Sequence, residues 1–353
     1  MNLDESTSFA EVDKKDMLSH IDDLPDQLAN AWRLGKQFDL PNWKGIQQIL
    51  LTGMGGSAIG ADFLAAYAAS NCRIPIVVHR DYDLPVWAAG PHTLVIASSH
   101  SGNTEETLAT FLAALERRCQ CLAVTTGGKL EQIARDARAP IWKFEHTGQP
   151  RAAVGFSFGL LLAVMRRLDL VADPQTELDS AVEAMKRQQE KLLAQIPVVH
   201  NPAKRYAGQL MGRWVTVIGS GVLAPVARRW KTQINELAKA WSQFEFLPEA
   251  DHNTLAGILE PENSLTNLMA IFLRSPSDHP RNRLRSDLTR KAFMQQGINT
   301  DFVDAQGSNP LSHLWTCLHF GDYLAYYLAI AYGNDPTPVA AIETFKREMS
   351  AAE

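Results

Sequence analysis

Between Ile49 and Met165, short apolar runs alternate with helical patterns, and this rhythm most narrows what the chain can fold into. The runs fall at 49–52, 74–78, 93–98, 122–126 and 141–144. Strand, helix and strand in repetition predict a parallel sheet covered by helices on both faces. A charged stretch at 169–195, bounded by Pro174 and Pro197, reads as a helical crossover. The same unit then recurs: an apolar run at 214–218 enters Gly219-Ser220-Gly221-Val222-Leu223-Ala224 and a helical pattern that continues to Trp241. Its likeness to residues 50–64 predicts a duplicated α/β half. Further strands are expected at 268–274 and 298–303, and helices at 282–295 and 311–332. Pro336-Thr337-Pro338 breaks the chain before a last helix carrying Lys346. Ahead of the rhythm, Met17, Ile21, Leu24, Leu28 and Trp32 recur at three- and four-residue steps, which predicts one packing helix. The expected division is 1–168, a helical crossover at 169–200, and a second α/β half at 201–353.

Two of the apolar runs end in small-residue loops that open into helices. They are Gly53-Met54-Gly55-Gly56-Ser57 and Ser99-His100-Ser101-Gly102-Asn103-Thr104. Free backbone N–H groups and the positive dipole end of a helix attract an anion without any lysine or arginine. Ser57, Ser99, Ser101 and Thr104 add four hydroxyl donors, a set suited to a phosphate monoester. Both loops follow strands, where open parallel sheets bind ligands. Two other readings stand beside this one. Serine, glycine and asparagine after a strand are also turn and N-cap chemistry. Residues 53–58 also satisfy G-x-G-x-x-A, with Asp81 after the next run, which keeps a nicotinamide oxidoreductase open. The hydroxyl-rich second loop weighs against it, because a pyrophosphate is held mainly by backbone on one glycine turn.

A formal net charge of −5 provides no basic field for nucleic acid. The chain shows no signal-peptide pattern and no apolar stretch long enough to cross a bilayer, so a cytoplasmic protein is expected. Cys72, Cys119, Cys121 and Cys317 lack zinc-site spacing and read as reduced and structural.

Three further residues are of chemically useful type. Glu236 lies in a polar helical stretch between Ile234 and Leu237, where partial desolvation would suit a general base. Ion pairing with Lys239 or Arg229 is the alternative. Arg151 precedes an apolar helical run, a place suited to stabilising an anion, with pairing to Glu145 as the alternative. His252 reads as a helix-start residue held by Asp251.

The motifs together resemble the bifunctional phosphoglucose/phosphomannose isomerases, of the sugar isomerase (SIS) domain superfamily. The likeness rests on Gly-Met-Gly-Gly-Ser-Ala-Ile at 53–59, Ser-His-Ser-Gly-Asn-Thr-Glu-Glu-Thr at 99–107 and Pro-Arg-Ala-Ala at 150–153. It continues through Lys-Thr-Gln-Ile-Asn-Glu at 231–236, Asp-His-Asn at 251–253 and the tail motifs Gly321-Asp322-Tyr323 and Asp335-Pro336-Thr337-Pro338. The resemblance implies an α/β fold of two SIS-type subdomains and a homodimer with shared active sites. It also implies isomerisation of glucose 6-phosphate or mannose 6-phosphate to fructose 6-phosphate through an enediolate, with no metal and no cofactor. By the same resemblance, Gly56, Ser57, Ser99, Ser101 and Thr104 hold the phosphate and Glu236 moves the proton between C1 and C2. Arg151 stabilises the enediolate, His252 from the partner subunit assists ring opening, and Lys346 matches the family's C-terminal active-site lysine. His100 stands where the family usually has tyrosine, Thr254-Leu255 replaces a more polar pair, and Thr337 is the counterpart offered for the family's epimer-tolerance threonine. A SIS-type sugar-phosphate sensor would share the phosphate loops but has no use for the set Glu236, His252 and Lys346.

Overall fold

The computed structural model describes residues 2–351. The chain opens with a 3-10 turn (Ser6–Glu11), then α1 (Met17–Asp22) and α2 (Leu24–Gln37). A first sheet is built from β1 (Gln48–Thr52), β2 (Ile76–His79), β3 (Thr93–Ser99), β4 (Gln120–Thr125) and β5 (Ile141–Lys143). Its connecting helices are α3 (Gly55–Ala68), α4 (Glu105–Glu116) and α5 (Gly128–Asp136), and α6 (Val154–Arg167) follows. α7 (Gln175–Gln189) and α8 (Pro202–Leu210) lead to a second sheet of β6 (Trp214–Gly219), β7 (Ser242–Phe246), β8 (Leu268–Arg274) and β9 (Asn299–Asp304). α9 (Ala224–Glu236), the short α10 (Glu262–Leu265) and α11 (Pro280–Gln295) connect these strands, and α12 (Pro310–Tyr332) and α13 (Ala340–Ala351) complete the chain.

Every strand pair is parallel, in the orders β2-β1-β3-β4-β5 and β7-β6-β8-β9. Both sheets therefore reverse direction of growth at the same place, beside their first strand, and such a reversal opens a crevice at the carboxyl ends of the strands. Strand alternation divides the core. Ile49, Leu51, Leu94 and Ile96 face one large cluster that also holds Val215, Val217, Met269 and Ile271 of the second sheet. Their neighbours Leu50, Val95 and Ala97 face a separate cluster under α4 and α5, while Ile218, Ala270 and Phe272 face a third under α11. A shared helical layer thus lies between the sheets, as two-faced burial of parallel strands requires. In that layer α12 is buried on all sides from Leu311 to Ala331, which is why its pattern lacks a polar face.

The duplicated α/β architecture agrees with expectation, and three local features differ. The expected N-terminal helix is two helices, divided at Asp23 ahead of Pro25. The helix after β6 ends at Glu236 and does not reach Trp241. Lys239 adopts a left-handed φ of +56°, and Ser242–Phe246 forms the edge strand β7. His252 closes a 3-10 turn (Glu249–His252), and Asp251 binds Arg285 and Thr289 instead of holding it. The outermost residues of the spans 1–168 and 201–353 lie outside the described residues. No helix among those described is long and apolar enough to cross a membrane, and all four cysteines are free.

Candidate active site

The two hydroxyl-bearing loops follow β1 and β3, the neighbouring strands at the reversal point of the first sheet. After Thr52 the backbone is extended at Met54 and turns left-handed at Gly55, with φ +50°, so that α3 starts with its first amides directed to the strand ends. The second loop crosses to the first, where the His100 N–H donates to Ser57 Oγ at 3.3 Å. Within it the Gly102 N–H donates to Ser99 Oγ at 3.1 Å and the Asn103 N–H to Ser101 Oγ at 3.2 Å. Ser99 Oγ and Thr104 Oγ1 lie 2.9 Å apart. Backbone amides thus fill acceptor positions on Ser57, Ser99 and Ser101. One hydroxyl proton serves the Ser99–Thr104 bond, and the others remain free to donate to an anion. Ser57 and Ser99 are buried, and Ser101 is exposed.

Gly56 has a packing reason to be glycine. A Cβ there would lie 2.6 Å from the Pro150 carbonyl oxygen and 3.1 Å from Arg151 Cα. The first hydroxyl-bearing loop therefore lies directly against the 3-10 turn (Pro150–Ala152) that carries Arg151.

Arg151 is 3% exposed and is held on several sides. Its Nη2 donates to the carbonyls of Pro336 (2.8 Å) and Thr337 (2.5 Å), and its Nη1 lies 3.4 Å from Glu236 Oε2 and from Gln149 Oε1. Arg229, seven residues before Glu236 on the same face of α9, donates from Nη2 to the Arg151 carbonyl at 2.8 Å while pairing bidentately with Asp322 of α12. Because both Arg229 and Asp322 are fully buried, removing either would leave a buried charge unpaired, at a cost of about 3–5 kcal/mol. α9 thus grips the Arg151 turn with Arg229 and Glu236 together. Burial holds the Arg151 guanidinium below its ordinary value, and the Glu236 carboxylate opposes that shift. Arg151 Nε, Gln233 Oε1 and Thr337 Oγ1 are buried without a partner. Arg151 Nε adds donor capacity beside Glu236, whose side chain stays 27% exposed.

Lys239, just past the end of α9, donates from Nζ to the Glu236 carbonyl at 2.6 Å. Although the residue is exposed, desolvation of its ammonium, helped by the Arg151 charge, lowers its pKa to about 8. On the other flank, His100 Nε2 and His146 Nδ1 lie 3.0 Å apart, joining the second loop to the segment that runs on to Arg151. Burial pushes both imidazoles down, His146 to about 4 with help from the His100 and His20 charges.

The structure therefore brings Gly56, Ser57, Ser99, Ser101, Thr104, Arg151 and Glu236 to one edge of the first sheet. His252 and Lys346 are not joined to them within the chain: both are exposed, and neither side chain makes a hydrogen bond among the described residues. The pairing partner of Arg151 is Glu236 and not Glu145, and Arg229 pairs with Asp322 and not Glu236. Asp81, the acid in the dinucleotide pattern, is exposed and accepts the Tyr82 N–H. Sequence reasoning missed Gln233, His146 and the carbonyls of Pro336 and Thr337, and named Lys239 only as an ion-pair alternative for Glu236. Only the spacing of 229, 233 and 236 along one helix face signals part of this set.

Residues 199–349 match the family model for the bacterial phospho-glucose isomerase C-terminal SIS domain. A bifunctional phosphoglucose/phosphomannose isomerase of Caldicellulosiruptor bescii is 34% identical over 337 residues, covering 95% of this chain and 99% of that protein. One from Aquifex aeolicus is 33% identical over 313 residues, covering 88% and 92%. Among solved structures, a hypothetical protein of Thermus thermophilus superposes with a TM-score of 0.76 at 16% identity, covering 99% of this chain and 94% of that one, a likeness of fold.

Proposed function

Since the chain belongs to the bifunctional phosphoglucose/phosphomannose isomerase family, we propose that it interconverts glucose 6-phosphate and mannose 6-phosphate with fructose 6-phosphate through an enediolate. The observation that carries this reading is the Arg151–Glu236 pair, 3.4 Å apart and packed through Gly56 onto the two hydroxyl-bearing loops.

In this reading the loops bind the phosphate remote from the reacting carbons. Their binding energy is used to place C1 and C2 against Glu236. Glu236 removes the C2 proton of the open-chain aldose and returns it to C1, while the O2 hydroxyl proton passes to O1, so that the C1 carbonyl becomes a hydroxyl and the C2 hydroxyl a carbonyl. Arg151 stabilises the negative charge that develops on the enediolate oxygens, the kind of preorganised electrostatic contribution that dominates many active sites. Thr337, whose buried hydroxyl has no partner and whose carbonyl accepts from Arg151, stands beside the same centre and fits a role in epimer tolerance.

Ring opening needs an acid or base at the sugar ring, and the residue that the resemblance gives this role, His252, is exposed and not joined to Glu236 within the single chain. A homodimer, in which the partner subunit's His252 completes the site, supplies one. The exposure of His252 supports this arrangement, as does the apolar face of α13, where Ile342, Phe345 and Met349 are all exposed next to Lys346. Hexose phosphates are cytoplasmic metabolites, and the protein is proposed to act there.

Incubation with each hexose 6-phosphate in heavy water tests the reading. Aldose formed from fructose 6-phosphate is expected to carry deuterium at C2. Failure to convert any of the three sugars would overturn it.

A further inference from the structure

The second sheet carries the same pair of loops as the first. Gly53 follows β1, and Gly219 ends β6. Met54 and Ser220 are extended alike (φ/ψ −128°/160° and −139°/161°), and Gly55 and Gly221 are left-handed alike (φ +50° and +53°). Across the reversal point, register places Thr52 opposite Ala97 and Ile218 opposite Phe272. From those partners, the segments at 98–104 and 273–279 have the same length, each beginning with the last two strand residues, and each delivers the chain into a helix, α4 at Glu105 and α11 at Pro280. The backbone of an anion seat is therefore present twice.

The side chains differ at every hydroxyl position. Leu223, Arg274, Pro276 and His279 stand where the first half has Ser57, Ser99, Ser101 and Thr104. In the first half the cross-loop link is the His100 N–H donating to Ser57 Oγ. Leu223 offers no oxygen, and the matching amide, Ser275 N–H, donates at 3.1 Å to Oδ2 of Asp278. Asp278 is 7% exposed, and its Oδ1 is buried with no hydrogen-bond partner. That oxygen faces the glycine turn, since a Cβ built on Gly221 would lie 3.0 Å from it. Asn103, the matching residue of the first half, turns outward to accept the Lys129 N–H and stays exposed.

We infer that the Asp278 carboxylate is a tethered anion occupying the second half's copy of the phosphate seat, closing that seat to phosphoesters and limiting the chain to one bound phosphate. Burial raises the pKa of this carboxylate, while Ser275 and Ser220 oppose the shift, as they would for any anion held there. The inference rests on the first pair of loops being a phosphate site.

Counting inorganic phosphate bound per chain by equilibrium dialysis tests it. The native protein is expected to bind one equivalent, displaced by fructose 6-phosphate. Asp278→Ala is expected to bind two, and Asp278→Asn, which keeps the size of the side chain, to stay at one; both should retain native isomerase activity. Native binding of none would sink the functional reading itself. Native binding of two, or a folded Asp278→Ala protein that stays at one, would overturn the tethered-anion inference alone. Amide resonances of the native chain read the same point without a variant: added phosphate should shift residues 99–104 and leave 275–279 in place, and shifts in both sets would overturn it.

Discussion

The first and second sheets put one backbone plan to opposite uses. In the first, the strand–loop–helix unit presents the N-terminal end of α3, where free amides and hydroxyls suit a phosphate. In the second, the equivalent loop is closed by Asp278, and the helix that follows contributes its other end: Glu236 is the last residue of α9. A carboxylate there sits at the negative pole of the helix dipole, an unfavourable place that Arg151, with Lys239 beside it, offsets. A duplicated fold can thus divide binding and chemistry between its copies, because the two ends of a helix attract opposite charges.

The largest expected effect tests the chemical half of this division. Glu236→Gln should lower kcat by roughly 10²–10⁴-fold, the scale of general acid–base catalysis, with phosphate affinity retained. Mixing it with inactive His252→Ala under subunit exchange should restore part of the activity, since one site of a mixed dimer regains both groups. Near-normal turnover of Glu236→Gln would place the base elsewhere, and no recovery despite proven exchange would confine each site to one chain.

A smaller effect tests how the two halves are joined. Gly56→Ala places a methyl 2.6 Å from the Pro150 oxygen, so α3 and the Arg151 turn must separate. Overpacking of this kind costs about 1–3 kcal/mol, and kcat/KM should fall by about tenfold as the loops lose alignment with Glu236. The matching position of the second half is Val222, and Val222→Gly should leave turnover unchanged. Equal losses in both variants would remove the distinction between the halves.

The smallest effect concerns acid. His146, held to about 4 against an ordinary 6.5, stays neutral in the folded protein. As pH falls below 6.5 the unfolded chain takes up a proton that the folded one refuses, so stability declines until about pH 4. His146→Gln should reduce the drop in Tm between pH 7 and pH 5 by on the order of 2–4 °C. An unchanged pH slope would show that the imidazole pair at the second loop does not report on folding.

Much of this was legible in the residues because it is local. β3, β8 and α12 were readable from continuous apolar runs, and the hydroxyl loops from consecutive small polar residues after β1 and β3. The edge strand β7 was hidden. Leu237, Ala238 and Lys239 favour helix, and Phe244 and Phe246 on a partly exposed edge lack the dense apolar signal of a central strand. His146 carried no sequence signal, since its meaning depends on His100 lying 3.0 Å away across 46 residues.

The amino-acid order by itself determined the duplicated strand–helix rhythm and the placing of hydroxyls after β1 and β3, because neighbours along the chain share one local backbone. Only the tertiary structure decided that Arg151 meets Glu236 across 85 residues and that Asp278 turns into its own loop while Asn103 turns away. Those outcomes depend on how α9 packs against the Arg151 turn and on whether a loop offers an oxygen where an amide needs one, conditions set by contacts between segments that propensity along the chain does not encode.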